Sequence, residues 1–215
     1  MIFRLIKRKG PVVYLDRLPK ARMIEAILAD YLGHPVKGYK ILDIGCGNGD
    51  ISEYFAQRND QCGLDVSDRR RAENNSFLFT LVNSEHLPFG DNFFDIVISH
   101  HVIEHVADQD LHLQEMQRVV KDKGIVYLAT PNKSSPLMEG HLNNDKVLSF
   151  CNMRPIFERN GFRSHEYAIR LIKNPKRFQA PIRWAIIIPL PLLRLLRPLF
   201  PAHVFILEPL GRKGS

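Results

Sequence analysis

The stretch that decides the fold is ILDIGCGNGDIS, residues 41–52. It opens with a short apolar run of strand length, and Gly45, Gly47 and Gly49 follow as a GxGxG turn. Glycine lets the backbone bend tightly and approach a ligand with no Cβ atom in the way. The pattern therefore predicts a strand, a turn and a helix, with a ligand bound against the turn.

An acidic residue in the next apolar run supports this prediction. Asp65 lies at the end of the second predicted strand, QCGLDV (61–66), 20 residues after Gly45. In nucleoside-binding folds, an acid at the end of the second strand accepts hydrogen bonds from both ribose hydroxyls. Together, the turn and the acid predict a site for a nucleoside cofactor.

The charge of the turn bears on which cofactor it holds. A dinucleotide site has a third glycine at the helix start, where pyrophosphate lies against free N–H groups. Here that position is Asp50, and Asp43 adds a second carboxylate. These charges repel a diphosphate and tolerate a cation. S-adenosylmethionine, which carries a sulfonium, an ammonium and a ribose but no phosphate, fits the residues better than NAD.

Short apolar runs alternate with helical patterns along the rest of the chain. Strands are predicted at 40–44, 61–66, 77–82, 93–99, 124–130, 163–172 and 203–209, and helices at 50–58, 68–74, 104–121 and 145–160. An amphipathic helix ending at Gly33 precedes them. This alternation predicts an α/β fold, a mostly parallel sheet with helices on both faces.

Three motifs in order resemble a known family. ILDIGCGNG, GLDVS and NSEHLPFGDNFFDIVISHHVIEHV look like class I S-adenosylmethionine-dependent methyltransferases, in the small-molecule branch similar to ubiquinone and menaquinone biosynthesis methyltransferases. The resemblance covers about residues 38 to 168. It implies a Rossmann-like seven-stranded sheet whose last strand runs antiparallel.

Nine residues are predicted to form the cofactor site: Asp43, Gly45, Gly47, Gly49, Asp65, Val66, Asn83, Ser84 and Glu85. The resemblance implies that the glycines lie under the methionine part, that Asp65 binds the ribose, and that Val66 packs on adenine. Ser84 and Glu85 are expected along the adenine edge. Asn83 stands where the family usually has Asp, and its carbonyl can also accept from the adenine amino group.

The sequence SHHV after the fourth predicted strand bears on the acceptor. Methyltransferases of base amino groups have Asn or Asp followed by Pro-Pro and an aromatic residue there, so base amino methylation is disfavoured. An alcohol or phenol loses its proton as it attacks the methyl group, and a histidine suits that step. His100 and His101 are both candidate bases, and a packing or orienting role is the alternative for each.

The same stretch allows a metal interpretation. His101, Glu104 and His105 match H-x-x-E-H, a zinc-protease motif with two ligands one helical turn apart. No third ligand can be placed, so no metal is predicted. In the methyltransferase interpretation, Glu104 and His105 begin the next helix.

Charge is concentrated at the two ends of the chain. The net charge is +7, yet residues 1–22 carry seven Lys/Arg against one Asp, and residues 170–215 carry nine against one Glu. The segment between them has 14 basic and 21 acidic residues. Cationic ends indicate an anionic partner, either a phospholipid surface or a nucleic acid, and two solvated tails are the alternative.

An insertion at about 173–202 separates the last two predicted strands. Its apolar run WAIIIPLPLL (184–193) is too short to span a bilayer and is broken by prolines, and arginines flank it. This composition is typical of a segment lying on an anionic membrane surface. A substrate lid or a dimer contact is the alternative. Nucleic acid is less favoured because stacking aromatics are few there.

These observations give a domain division and a predicted function. Residues 1–37 are a basic segment and a helix, and residues 38–215 are the methyltransferase domain. Three cysteines without CxxC spacing and a start unlike a secretory signal predict a cytoplasmic protein. The basic ends and the insertion predict that it is peripheral on the inner membrane face. The predicted reaction is methyl transfer to oxygen or carbon of a small, apolar or lipid-linked acceptor. An RNA methyltransferase and a non-catalytic, membrane-associated binding protein are the alternatives.

Overall fold

The computed structural model describes residues 18–132, 150–167 and 202–211. These residues form four helices and seven strands. In chain order they are α1 (Leu18–Leu32), β1 (Lys40–Ile44), α2 (Asp50–Ala56), β2 (Asp60–Asp65), β3 (Leu78–Leu81), β4 (Phe94–His100), α3 (Gln109–Val119), β5 (Val120–Pro131), α4 (Phe150–Arg159), β6 (Phe162–Tyr167) and β7 (Ala202–Pro209).

The seven strands form one sheet in the order β3-β2-β1-β4-β5-β7-β6. The first five strands run parallel, and β7 lies antiparallel between β5 and β6. The predicted Rossmann-like α/β fold with an antiparallel last strand is therefore confirmed. The strand order reverses between β1 and β4, which is where ligands bind in open α/β sheets.

Side chains that alternate along the strands build two apolar layers. Ile41 faces α1 and α2, where Leu28 and Phe55 pack against it within one buried cluster. Leu42 faces the opposite way and joins the cluster that contains α3 and α4. Helices on both faces leave the carboxyl ends of the parallel strands as the open edge of the sheet.

The predicted helix at 68–74 is wrong, because this segment is a loop. A carboxylate oxygen of Asp68 accepts from the backbone N–H of Arg70 at 3.2 Å, a local bond that competes with a helix. The Arg71 N–H and the Asn74 side chain both donate to the carbonyl of Asn48, at 3.1 and 2.8 Å. The loop is thus bonded to the glycine turn.

The third helix starts later than the predicted residue 104. Asp108 caps it, since its side chain accepts from the backbone N–H groups of Asp110 and Leu111, both at 3.0 Å. Such a cap fixes the first helical turn at Gln109. Glu104 and His105 therefore lie in the turn before α3, and their predicted place on the helix is wrong.

Several predicted features lie outside the described residues. They are the basic segment 1–17, the first part of the helix predicted at 145–160, the end of the sixth predicted strand, and residues 173–201 of the insertion. Residues 168–201 lie between β6 and β7 in the chain, and the insertion at about 173–202 stays a prediction.

Candidate functional site

The glycine turn is held against the end of β2. Gly45, Gly47 and Gly49 have φ values of 69°, 58° and 81°, in the left-handed region that glycine adopts without a Cβ penalty. The N–H groups of Gly45 and Cys46 both donate to the carbonyl of Leu64, at 2.8 and 3.0 Å. A Cβ added at Gly45 would lie 2.5 Å from the side chain of Val102, so this turn requires glycine.

Asp65 meets the turn, as its spacing predicts. Its carboxylate is 5% exposed and accepts from the backbone N–H of Gly47 at 2.9 Å and of Ser67 at 3.2 Å. Arg69 forms an ion pair with it at 3.3 Å through a side chain that is 66% exposed. Next to it, Val66 is 69% exposed and offers an apolar surface beside the carboxylate.

The two other acids of the turn have protein partners. Ser52 donates to the buried Asp43 at 2.7 Å. Asp50 accepts from Asn74 at 2.7 Å and lies 3.4 Å from Arg71. The sequence analysis of the charge of the turn counted carboxylates alone. It missed Arg69 and Arg71, because the helix predicted at 68–74 gave no reason to place these cations beside the turn.

The residues predicted for the adenine edge differ in exposure. Asn83 is exposed, Ser84 is buried, and Glu85 is half-buried. The carboxylate of Glu85 accepts from the backbone N–H groups of Asp108 at 2.9 Å and Ala107 at 2.6 Å, and these bonds lower its pKa. Glu85 thus tethers the turn before α3, and contact with adenine stays a prediction for all three residues.

His100 and His101 lie side by side where β4 ends. Their rings meet edge to face with centroids 4.6 Å apart. Nδ1 of His100 is 3.4 Å from the hydroxyl of Tyr127, a buried side chain on β5. Nδ1 of His101 is 3.1 Å from a carboxylate oxygen of Glu104, a buried residue that sequence reasoning had placed on a helix.

The two predicted halves of the site are in contact. Val102, the residue after His101, packs against Gly45, as the 2.5 Å approach to an added Cβ at that glycine shows. The structure therefore brings the glycine turn, Asp65 and the histidine pair to one edge of the sheet.

A buried histidine beneath this edge was missed by sequence reasoning. His112 on α3 is fully buried, and its Nε2 lies 3.4 Å from the hydroxyl of Ser99 on β4. Burial lowers the pKa of His112 to about 4, so the ring is neutral at pH 7. The sequence signal that could have predicted its burial is its place on the apolar face of α3, with Leu113 and Met116.

Within the ranges that the structure describes, no group of three or more His, Cys, Asp or Glu side chains could hold a metal ion. His101 and Glu104 do meet, but in a turn rather than on a helix. His105 is exposed. The zinc interpretation assumed that these residues lie on one helix, and this assumption is wrong.

Comparison with known families identifies the central part of the chain. The methyltransferase domain model matches residues 42–128, from β1 into β5. These residues are similar to a methyltransferase domain. The resemblance stated from the sequence is confirmed, and the matched range includes the nine predicted cofactor residues and both histidines.

Curated relatives agree with this identification. The ubiquinone biosynthesis O-methyltransferase of Rhizobium etli is 33% identical over 109 residues, which are 46% of this chain and 44% of the relative. The chain thus spans less than half the length of this curated relative.

Solved structures share the fold at low identity. PH0226 of Pyrococcus horikoshii superposes with a TM-score of 0.64 at 15% identity, covering 96% of this chain and 97% of that protein. The cyclase SpnF gives a TM-score of 0.56 at 19% identity, with 74% and 63% coverage. Because a cyclase also has this fold, the fold alone does not determine the reaction of this chain.

None of the described helices is both long enough and apolar enough to cross a bilayer.

Proposed function

We propose that the protein is an S-adenosylmethionine-dependent methyltransferase that acts on oxygen or carbon of a small, apolar or lipid-linked acceptor. The observation that carries this proposal is the hydrogen bond between Gly47 and Asp65, which joins the glycine turn to the second-strand acid inside a methyltransferase domain. Both predicted elements of a nucleoside site meet there, next to the candidate bases.

The residues of the turn fit this cofactor. The left-handed glycines leave space that a Cβ would fill, and the carboxylate of Asp65 can accept from ribose hydroxyls in place of the exposed Arg69. The exposed Val66 offers an apolar surface for a base. When bound, the cofactor supplies a methyl group on a positively charged sulfur.

The histidines support an acceptor that loses a proton. A hydroxyl attacks a methyl carbon well only as its proton leaves, and an imidazole within reach can take that proton. His100 and His101 lie next to the residue that contacts the glycine turn. The relatives named O-methyltransferases favour oxygen as the acceptor atom.

The class of acceptor rests on the composition of the chain. The segment 173–202 combines an apolar run with flanking arginines, and the first 22 residues carry seven Lys/Arg. Such composition suits docking on anionic lipid, where each nearby cation adds about 1 kcal/mol. We place the protein in the cytoplasm on the inner membrane face, where it would meet a lipid-linked acceptor.

A labelled-methyl assay tests the proposed reaction. The protein is incubated with S-adenosylmethionine labelled in its methyl group and, in separate reactions, a lipid extract, a set of small phenols, and total RNA. Label is expected in lipid or phenol. Label in RNA alone identifies an RNA methyltransferase, and cofactor binding without transfer to any of the three indicates a non-catalytic binding protein.

Liposome flotation tests the membrane part separately. Binding is expected to require anionic lipid, to weaken with salt, and to fall sharply when Ile186, Ile187 and Ile188 become Ser. A triple change to Ser at Leu78, Leu81 and Phe93, three exposed apolar residues outside the insertion, is the control with the same number of positions. Tight RNA binding at physiological salt without flotation would reject the membrane proposal.

A further inference from the structure

His101 is held in an unusual backbone conformation. Its φ is 59°, and it is one of two non-glycine residues with positive φ in the part of the chain that the structure describes. Its N–H donates to the carbonyl of Ala129 on β5 at 2.9 Å. Residues in this conformation are strained, and they persist where surrounding bonds hold them. The strand end therefore fixes the position from which the ring projects.

Glu104 meets this ring from the turn that follows. The turn is closed by the bond from the His105 N–H to the carbonyl of Val102 at 2.8 Å. One carboxylate oxygen of Glu104 is 3.1 Å from Nδ1 of His101, and the other accepts from the hydroxyl of Thr130 at 3.3 Å. Glu104 is 3% exposed, whereas the side chain of His101 is 33% exposed.

The chemistry of this contact selects one form of the ring. An ionised carboxylate can only accept hydrogen bonds, and a buried one requires donors. The neutral imidazole of His101 therefore carries its proton on Nδ1, which leaves the lone pair on Nε2. A partly exposed ring with its free lone pair on Nε2 is suited to accept a proton.

We infer that Glu104 is a positioning residue that fixes the tautomer and orientation of His101, and that His101 rather than His100 is the proton acceptor of the proposed reaction. This inference rests on the proposed function for the reaction itself. The acceptor hydroxyl gives its proton to Nε2 of His101 and its oxygen keeps the electron pair. That oxygen bonds to the methyl carbon as the bond between this carbon and the cofactor's sulfur breaks.

His100 has a different kind of partner. Its Nδ1 faces the hydroxyl of Tyr127, and burial raises the pKa of this tyrosine, so the hydroxyl stays protonated. A hydroxyl can donate or accept, so this contact does not select a tautomer. The two rings are in contact. Nδ1 of His101 meets a carboxylate, whereas Nδ1 of His100 meets a hydroxyl.

The ring of His101 lies among polar side chains. Its neighbours are Glu104 from the turn and His100 from β4, with Thr130 on β5 behind the carboxylate and Tyr127 behind His100. The carboxylate is the one anion among these four groups. It can accept a hydrogen bond from Nδ1 whether or not Nε2 carries a proton.

Nitrogen NMR of the ring tests the positioning without any turnover. In protein labelled with ¹⁵N-histidine at pH 8, His101 is expected as the Nδ1-protonated tautomer. Glu104→Gln and Glu104→Ala are expected to shift it towards a mixture, and Glu104→Asp to restore part of the Nδ1-protonated signal. Glu158→Gln, at an exposed position on α4, is the matched control and is expected to leave the signal unchanged. An Nε2-protonated His101 in the wild type, or an unchanged tautomer in Glu104→Ala, overturns the inference.

Methyl transfer to a catechol probe tests the assignment of the base. His101→Gln is expected to lower kcat by ~10²-fold or more, and His100→Gln by less, since a general base contributes about 10² to 10⁴-fold. Glu104→Gln is expected to lower kcat by ~10-fold or more with little change in the KM for S-adenosylmethionine. An equal or larger loss in His100→Gln overturns the choice of His101. No transfer by the wild type to catechol or to any acceptor of the labelled-methyl assay, together with the expected tautomer, rejects the proposed function and leaves the positioning by Glu104 established.

Discussion

At the ends of β1 and β2 the site is made mainly by backbone, whereas at the ends of β4 and β5 it is made by side chains. The first region, which we propose to bind the cofactor and call the cofactor half, depends on left-handed glycines and on N–H groups that bond to Leu64 and Asp65. The second region, which we propose to meet the acceptor and call the acceptor half, depends on His101, Glu104 and Thr130, which three different segments supply.

The difference shows where each region tolerates change. Backbone conformation depends on the residue itself, so the cofactor half fails when a glycine gains a Cβ. A side-chain cluster can keep its fold while it loses a proton acceptor, so the acceptor half fails in chemistry before it fails in stability. The two regions touch at Gly45 and Val102.

The largest effect is expected at that contact. Gly45→Ala combines left-handed strain of about 1 to 2 kcal/mol with an overlap on Val102 that costs about 1 to 3 kcal/mol. Urea unfolding should show a loss of about 2 to 5 kcal/mol. Gly38→Ala is the matched control, because Gly38 has φ 77° and open space around its Cβ position.

The double variant Gly45→Ala, Val102→Ala separates the two causes. It should recover the part of the loss that comes from overlap and keep the part that comes from φ. If Gly45→Ala and Gly38→Ala lose equal stability, the two halves are not in tight contact.

A pH effect of similar size is expected under the acceptor half. The pKa of buried His112 is about 4 in the folded protein, below the ordinary 6.5. The unfolded chain therefore binds a proton below pH 6.5 that the folded chain does not bind until about pH 4, so stability falls as pH falls through this window. The contribution approaches about 3 kcal/mol at pH 4.

Urea unfolding at pH 7, 5.5 and 4.5 measures this effect. His112→Leu should flatten the decline, and His86→Leu, at an exposed histidine, should leave it in place. An unchanged decline in His112→Leu would mean that His112 is not buried as described.

The smallest effect is expected from a change at Arg69, which forms an ion pair with Asp65 in the cofactor half. Its side chain is 66% exposed, so the ion pair contributes less than about 1 kcal/mol to stability. Arg69→Ala should bind S-adenosylmethionine as well as the wild type or up to about fivefold more tightly, because it no longer competes for the carboxylate. Lys121→Ala is the control, and a tenfold weaker affinity for Arg69→Ala in calorimetry would show that the arginine holds the cofactor instead.

The two halves also differ in how far sequence could predict them. The glycine turn and Asp65 were found from spacing, because β1 and β2 are adjacent parallel strands whose ends must meet. The strands were placed to within a few residues, since their apolar runs are short and end in turn residues.

The acceptor half was only partly predictable. The histidines were found, but Glu104 was placed on a helix, because the pattern HVIEH has helical spacing. The actual turn follows from the Asp108 cap and from the tether that Glu85 makes to Ala107 and Asp108. The helix prediction at 68–74 is wrong for the same kind of reason, since the bonds of this loop to Asn48 join residues far apart in sequence.

The most direct test of the account is calorimetric binding of S-adenosylmethionine to the wild type and to Asp65→Ala. The account predicts one site in the wild type and an affinity loss on the order of 2 to 4 kcal/mol in the variant, which is about 30-fold to 10³-fold. Asp68→Ala, three residues along and exposed, is the matched control and should bind like the wild type. Absent binding in the wild type, or equal affinity in Asp65→Ala, would contradict the account.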